Sequence, residues 1–284
     1  MKFSLILCTI GRTKEVELFL NSLVAQTNTN FEVIVVDQND DTRVSDIIYR
    51  FNSLKIKYLK SEKGLSRSRN LGILNATGDI IGFPDDDCTY PPTLLENVAS
   101  FYSQNNFDIL TGKTIDKDTK KIVAGKDIYI SQILKASYIL GSSTTLFIKN
   151  KRFEIKFDER FGLGAIFNAE EENELIFRLL KQGHTGFYNP NINYVYHPPS
   201  DLDFTDLKRA RKRTIGLGAF IAKHILSKEG IMFFIKYNLL RPLFGMIIYT
   251  FKLDFIRARY YLNRWLGIWI GFFRYLKVNN ETTI

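Results

Sequence analysis

Apolar residues arrive in two rhythms along the first two hundred positions. Short, mostly apolar runs have the length of strands: 3–9 (FSLILCT), 31–36 (FEVIVV), 56–59 (IKYL) and 80–83 (IIGF). Between the first two, Val16, Leu18, Phe19, Leu20, Leu23 and Val24 recur at helical spacing. That strand–helix–strand unit predicts a parallel pair with a right-handed crossover. Further helices are predicted over 44–51, from about 65 to Gly78 with Ser66 as cap, and from Pro91-Pro92 through Phe101. Residues 109–115, 143–148 and 187–196 read as strands, whereas 116–141 carries little periodicity. Beyond Asp206 the rhythm is helical throughout: a basic helix over 207–226, then aromatic, apolar segments over 231–251 and 253–276. The expected class is α/β, a sheet flanked by helices over 1–203 with a helical appendage over 204–284.

The ligand face of a parallel sheet lies at the carboxyl ends of its strands. Thr9, Arg12 and Asp37 sit there, and no G-x-G-x-x-G follows the first strand, so the dinucleotide fingerprint is missing. The fourth run ends in Asp85, Asp86 and Asp87, with no Lys or Arg between Asp79 and Pro92. Three acids at the end of a buried strand repel one another and resist desolvation. A hard divalent cation, Mg²⁺ or Mn²⁺, removes that cost; a solvated acidic turn is the bland alternative. Arg67 and Arg69 fall in the first turn of the helix before them, where a cation opposes the helix dipole, so a nearby anion such as a phosphate is expected. A second acidic cluster, Glu170, Glu171, Glu172 and Glu174, opens a helix carrying Leu175, Ile176 and Leu179. Helix N-termini attract acids, but four in five residues exceed what capping needs, and a positioned base is expected among them. His197 closes the last strand-like piece before Pro198-Pro199.

Charge separates the chain into two parts. The net is +9, yet residues 204–284 hold fifteen Lys and Arg against four Asp and Glu, a net of +11. The excess therefore belongs to the tail, which argues against a generally nucleic-acid-coated protein. The tail's longest uncharged runs, 242–251 and 265–273, fall short of the roughly 20 apolar residues of a membrane span. Basic residues interleaved with Trp265, Trp269, Phe272 and Phe273 fit an in-plane helix on anionic lipid. Packing on the body or a homodimer contact is the alternative. Two cysteines suggest neither a disulfide framework nor a zinc site. No signal-peptide pattern is visible in MKFSLILCTIGR, so a cytoplasmic location is expected.

The order of LILCTIGR, VIVVDQND, KGLSRSRNLGILNATGDIIGFPDDDC, FDERFGLGA, EEENELIFRLL and VYHPP resembles family 2 glycosyltransferases of the GT-A fold. The resemblance covers most of residues 3–199. It implies a nucleotide-sugar donor, a glycan or lipid-linked glycan acceptor, a Mn²⁺- or Mg²⁺-binding DxD motif and inversion at the anomeric carbon. Thr9, Arg12, Asp37, Arg69 and Asn70 would then lie near the nucleotide. Asp85 and Asp87 match the two acids of DxD, with Asp86 in the variable position between them, and Asp85 and Asp86 would also lie at the nucleotide. His197 resembles a histidine that completes the metal site in some GT-A enzymes. The later motif usually reads Glu-Asp, a spacer, an acid, Leu, then Arg three residues on; here it is Glu171-Glu172-Asn173-Glu174-Leu175 and Arg178. Glu172 falls on the expected base one methylene longer than aspartate, and Glu171 is its rival. The competing readings are a metal-dependent nucleotidyltransferase on a similar sheet and a noncatalytic membrane-surface or RNA-binding protein.

Overall fold

The computed structural model describes residues 1–124, 128–150, 154–199 and 203–281. They form two compact units, Met1–Phe157 with Leu175–Ser200, and Asp158–Glu174 with Asp201–Ile284. The second unit thus combines the chain from Asp201 onward with the earlier segment Asp158–Glu174. Within the poorly periodic 116–141 stretch, residues 125–127 lie outside the described residues.

The first unit opens with β1 (Phe3–Thr9), α1 (Lys14–Val24), β2 (Phe31–Asp37), α2 (Arg43–Ile48), β3 (Ile56–Lys60), α3 (Leu65–Leu74), β4 (Ile80–Gly82) and α4 (Leu94–Gln104). Seven further strands follow: β5 (Ile109–Thr111), β6 (Lys113–Ile115), β7 (Ile122–Ala124), β8 (Gln132–Ile133), β9 (Phe147–Lys149), β10 (Gly186–Tyr188) and β11 (Tyr194–Tyr196). Between β9 and β10 lies α5 (Glu171–Lys181), whose residues from Leu175 onward belong to this unit. The main sheet runs β3-β2-β1-β4-β9-β5-β10-β8, and a small one runs β11-β6-β7. The first four strands are parallel, as the crossover pattern predicts, while β9 is antiparallel to both β4 and β5.

Strand alternation buries both faces of the main sheet. Phe3, Leu5 and Leu7 of β1 join Phe19, Leu20, Leu94 and Val98 of α1 and α4 in one core. Ile6 and Cys8 join Phe83, Leu175, Ile176 and Leu179 in the other.

Two apolar runs that read as single strands are each divided between the sheets. The run 109–115 breaks at Gly112, where a Cβ would stand 1.7 Å from the carbonyl oxygen of Asn193, so β5 joins the large sheet and β6 the small one. The run 187–196 is split in the same way into β10 and β11. The cap of α3 is Gly64, at φ 141°, in place of the expected Ser66, which is buried in the first turn; the helix ends at Leu74, short of Gly78.

The second unit contains α6 (Leu207–His224), α7 (Lys228–Phe233), a π-helical segment (Phe234–Leu240), α8 (Arg241–Phe251) and α9 (Phe255–Glu281). α6 and α9 press backbone to backbone. A Cβ on Gly218 would stand 1.9 Å from the carbonyl oxygen of Ile268, and one on Gly271 would stand 2.0 Å from that of Ile215. Trp269 is packed among Phe234, Phe272 and Phe273, with ring centroids 5.8, 6.0 and 5.4 Å away. Neither Trp265 nor Trp269 is therefore an exposed interfacial anchor. The π-helical segment makes Lys228–Phe251 one continuous helix, long and apolar enough by length and composition to cross a membrane, with 12% of its most apolar window buried. Uncharged-run length had argued against a span here because Lys236 and Arg241 interrupt it; helical continuity carries the apolar surface past both.

Candidate active site

The carboxyl ends of β1, β2 and β4 converge, as a parallel sheet requires. Three acids follow β4 after Phe83 and Pro84, and a bridge from Cys8 to Asp85 continues the β1–β4 pairing to them. Thr89 and Tyr196 form a second bridge, exchanging backbone hydrogen bonds of 2.9 and 3.0 Å. That bridge sets His197, the residue after β11, beside the acidic turn.

Asp85, Asp87 and His197 each offer one ligand atom, and the three atoms lie within 4.8 Å of one another. The His197 Nε2 is 3.1 Å from Asp87 Oδ1, and its Nδ1 lies 2.6 Å from the Pro198 carbonyl oxygen. A carbonyl at Nδ1 fixes the proton there and leaves Nε2 for the acid or a metal. The hydrogen bond with Asp87 outweighs burial and raises the His197 pKa. Burial works to raise Asp87 in turn, but the hydrogen bond and charge of His197 and the charge of Arg12 hold it below the usual carboxylate range. The donor set of two carboxylates and an imidazole fits Mn²⁺ or Mg²⁺, with imidazole favouring the transition metal.

Asp86 faces the other way. Its carboxylate accepts from Thr9 Oγ1 at 2.7 Å and from Arg12 Nη1 at 2.5 Å, and desolvation raises its pKa despite both. Arg12 also reaches Asp87 Oδ2 at 2.7 Å. Thr9, Arg12, Asp86, Asp87 and His197 are therefore one connected group. Arg69 is 1% exposed, lies 3.2 Å from Asp85 Oδ1 and stacks over Phe157 at 5.3 Å. The anion expected for the first turn of α3 thus includes Asp85 for Arg69; Arg67 pairs with Glu62. Asn70 holds the backbone of Phe157 through two hydrogen bonds, 2.8 and 3.0 Å.

Asp37, at the end of β2, is fully buried. It accepts from the Asn39 N–H and side chain, from Tyr58 OH at 2.7 Å and from Lys60 Nζ at 2.8 Å. Burial opposes its charge, yet these donors lower its pKa. Tyr58 and Lys60 were missed in the sequence reading. The in-register β2–β3 pairing, which sets Lys60 opposite Asp37, is the signal that finds them.

In the second unit, Glu171 and Glu172 occupy the first turn of α5. Glu171 is buried, while Glu172 is half-buried. Glu170 precedes them at φ 71°, a backbone conformation strained for a side chain larger than glycine's. Burial raises its pKa, with Glu171 adding to the effect.

Comparison with known proteins decides the family. The profile described as "Glycosyl transferase family 2" matches residues 4–163. The chain belongs to glycosyl transferase family 2. It is 29% identical to an uncharacterized glycosyltransferase of Haemophilus influenzae over 203 residues, 68% of this chain and 67% of that one. It spans 18–40% of seven other curated glycosyltransferases that it matches. Among solved structures it resembles S. aureus TarS 1-349 in complex with UDP-GlcNAc, with a TM-score of 0.58 and 18% identity over 91% of this chain and 90% of that one. It also resembles the mannosyltransferase PcManGT of Pyrobaculum calidifontis in complex with GDP-Man and Mn²⁺, with a TM-score of 0.66 and 13% identity over 97% and 87%. The expected α/β, GT-A-type fold and glycosyltransferase class are borne out. The nucleotidyltransferase and noncatalytic readings fall with the family match.

Proposed function

We propose that this glycosyltransferase is inverting and metal-dependent, moving a sugar from a UDP-sugar to a hydroxyl of a glycan or lipid-linked glycan in surface polysaccharide synthesis. The carrying observation is the Asp85–Asp87–His197 cluster at the carboxyl end of the parallel strands. These three residues would hold Mn²⁺ or Mg²⁺. When bound, the metal supplies Lewis-acid stabilisation of the charge that develops on the leaving diphosphate. Arg12 and Thr9 hold Asp86 and keep the acidic turn in shape. Arg69 fixes Asp85, and Asn70 anchors the segment under it. Asp37, its charge secured by Lys60 and Tyr58, is an acceptor suited to a base N–H. Glu172 takes the proton of the attacking hydroxyl, and single displacement then inverts the anomeric carbon without a covalent enzyme intermediate. UDP is the nucleotide of the TarS complex and GDP that of the PcManGT complex, so UDP-, GDP- and dTDP-sugars are all tested. The test is incubation with UDP-glucose, UDP-galactose, UDP-N-acetylglucosamine, GDP-mannose and dTDP-rhamnose with Mn²⁺, following slow hydrolysis. Release of UDP from one of them is expected. No hydrolysis of any donor, with no binding of UDP, GDP or dTDP, would sink the reading.

We further infer that the second unit docks on the anionic cytoplasmic face of the membrane without crossing it. Four large apolar side chains crowd the turn between α8 and α9: Phe251, Leu253, Phe255 and Ile256, each more than half exposed. Arg241, Lys252, Arg257, Arg259 and Arg264 surround them in sequence against the single acid Asp254. Basic residues near a charged bilayer contribute about 1 kcal/mol each, screened by salt. A crossing Lys228–Phe251 would instead carry Lys236 and Arg241 near its middle, at roughly 2.5–3.5 kcal/mol apiece. In flotation with phosphatidylglycerol vesicles, binding should require anionic lipid and weaken with salt. Retention through carbonate extraction would mean a spanning segment, and no binding to any vesicle would favour a homodimer or packing role.

A further inference from the structure

Behind the first turn of α5 lies a charge cluster that the proposed chemistry does not use. Lys223, near the end of α6, places its Nζ 2.7 Å from Glu174 Oε1 and 2.7 Å from Asp158 Oδ2. The Glu174 side chain is completely buried. His224 Nε2 stands 3.6 Å from the same Glu174 oxygen. Arg160 grips both oxygens of Asp158, sharing Oδ2 with Lys223, through Nη2 to Oδ2 at 2.7 Å and Nε to Oδ1 at 3.0 Å. Burial disfavours charge on Asp158, but the hydrogen bonds of Arg160 and Lys223 outweigh it and hold the carboxyl far below its ordinary range.

Asp158 and Glu174 are the two ends of one loop. Between them the chain turns tightly: Phe161 N–H donates to Asp158, Phe167 N–H to Arg160, and Gly162 N–H to Phe167, at 3.0, 2.8 and 2.9 Å. Phe161 and Phe167 are fully buried and pack on Tyr275. The loop re-enters helix through Glu170, whose carboxylate accepts from Asn173 and whose carbonyl accepts from the Glu174 N–H at 2.9 Å. Four carboxylates in five residues repel one another. A cation fixed on the innermost of them relieves that repulsion and holds the first turn closed.

We propose that Lys223 is a positioning residue: its one ammonium clamps both ends of the 158–174 loop, at Asp158 and at Glu174, and so fixes the direction of the Glu172 carboxylate. The inference rests on Glu172 as base, but the clamp can be tested without it. Hydrogen–deuterium exchange on the full chain should show faster exchange at the amides of Phe161, Gly162, Phe167 and Glu174 in Lys223→Met, and near-normal protection in Lys223→Arg. Unchanged protection in Lys223→Met overturns the clamp. In donor hydrolysis Lys223→Met should lower kcat by up to about 100-fold, the cost of a misplaced group, with UDP affinity in Mn²⁺ unaltered. In a Glu172→Gln background the same change should add less than about twofold, because Lys223 acts through Glu172. A full loss added on top of Glu172→Gln overturns the positioning role. If Glu172→Gln is itself fully active, the base assignment has failed, and the exchange measurement alone judges the clamp. Should Lys223→Met not fold, Glu174→Gln, which leaves Lys223 a neutral acceptor and its Asp158 partner, is read the same way.

Discussion

Replacing Glu172 with glutamine should lower turnover by about 10²–10⁴-fold, the usual contribution of a positioned general base, while leaving UDP affinity unchanged. Glutamine keeps the length and shape of the side chain and removes its ability to accept the acceptor's proton. The choice between Glu172 and Glu171 rests on access. Glu171 is 7% exposed, whereas Glu172, next along the same turn, is half-buried and open to solvent. A base must touch its substrate, so the more accessible carboxylate is the better candidate. Glu171→Gln should cost stability more than rate, because it alters a carboxylate packed among other groups. Steady-state hydrolysis of the best donor, with calorimetric UDP titration of each variant, separates the two. An inactive Glu171→Gln beside an active Glu172→Gln would move the register by one.

The half of the sheet that builds the acidic turn was legible because each of its elements has an unmixed period. β1 and β2 are short, mostly apolar runs between polar turns, and α1 repeats its apolar face cleanly. The triple acid advertises itself by what it would cost without a counter-charge. Local pattern marks His197 as a strand-end residue, and the family resemblance sets it at the metal site; its contact with Asp87 depends on the Thr89–Tyr196 bridge, between positions far apart in sequence. Local pattern says which residues face inward, not which sheet a strand joins. That is why 109–115 and 187–196 each looked like one strand: nothing in the run itself announces that Gly112 meets the backbone of Asn193.

The same limit applies to side-chain partners. Three adjacent aspartates look equivalent in a sequence, yet Asp86 turns into Thr9 and Arg12 while Asp87 meets His197. Trp265 and Trp269 looked like interfacial anchors because aromatic residues among arginines fit a membrane surface; Trp265 packs on Trp269, and Trp269 on Phe234, Phe272 and Phe273, and the contact with Phe234 joins positions far apart in sequence. The exposed apolar turn at Phe251–Ile256 then carries the membrane argument instead.

Removing the divalent metal should weaken UDP binding by at least about 10–100-fold, the range seen when even an outer partner of a metal ligand is lost, and Asp87→Asn should do the same in the presence of Mn²⁺. A rival account is available from the same geometry. Arg69 faces Asp85, Arg12 faces Asp86 and Asp87, and His197 hydrogen-bonds Asp87, so two arginines already counter the acids. A turn balanced in that way could present its arginines to a diphosphate with no metal at all. Two observations favour the metal. Asp85, Asp87 and His197 bring three ligand atoms of the right type within 4.8 Å, and a carbonyl at Nδ1 leaves His197 Nε2 as its ligating atom. Asp86→Asn is the internal control: it alters the pin between Thr9 and Arg12, so it should lower thermal stability while the affinity gained on adding Mn²⁺ stays large. Calorimetric titration of UDP into each variant, in Mn²⁺ and in chelator, reads all of this at once. Equal affinity in the two conditions, or an Asp87→Asn variant that responds to Mn²⁺ as the parent does, would overturn the metal's role in holding the diphosphate.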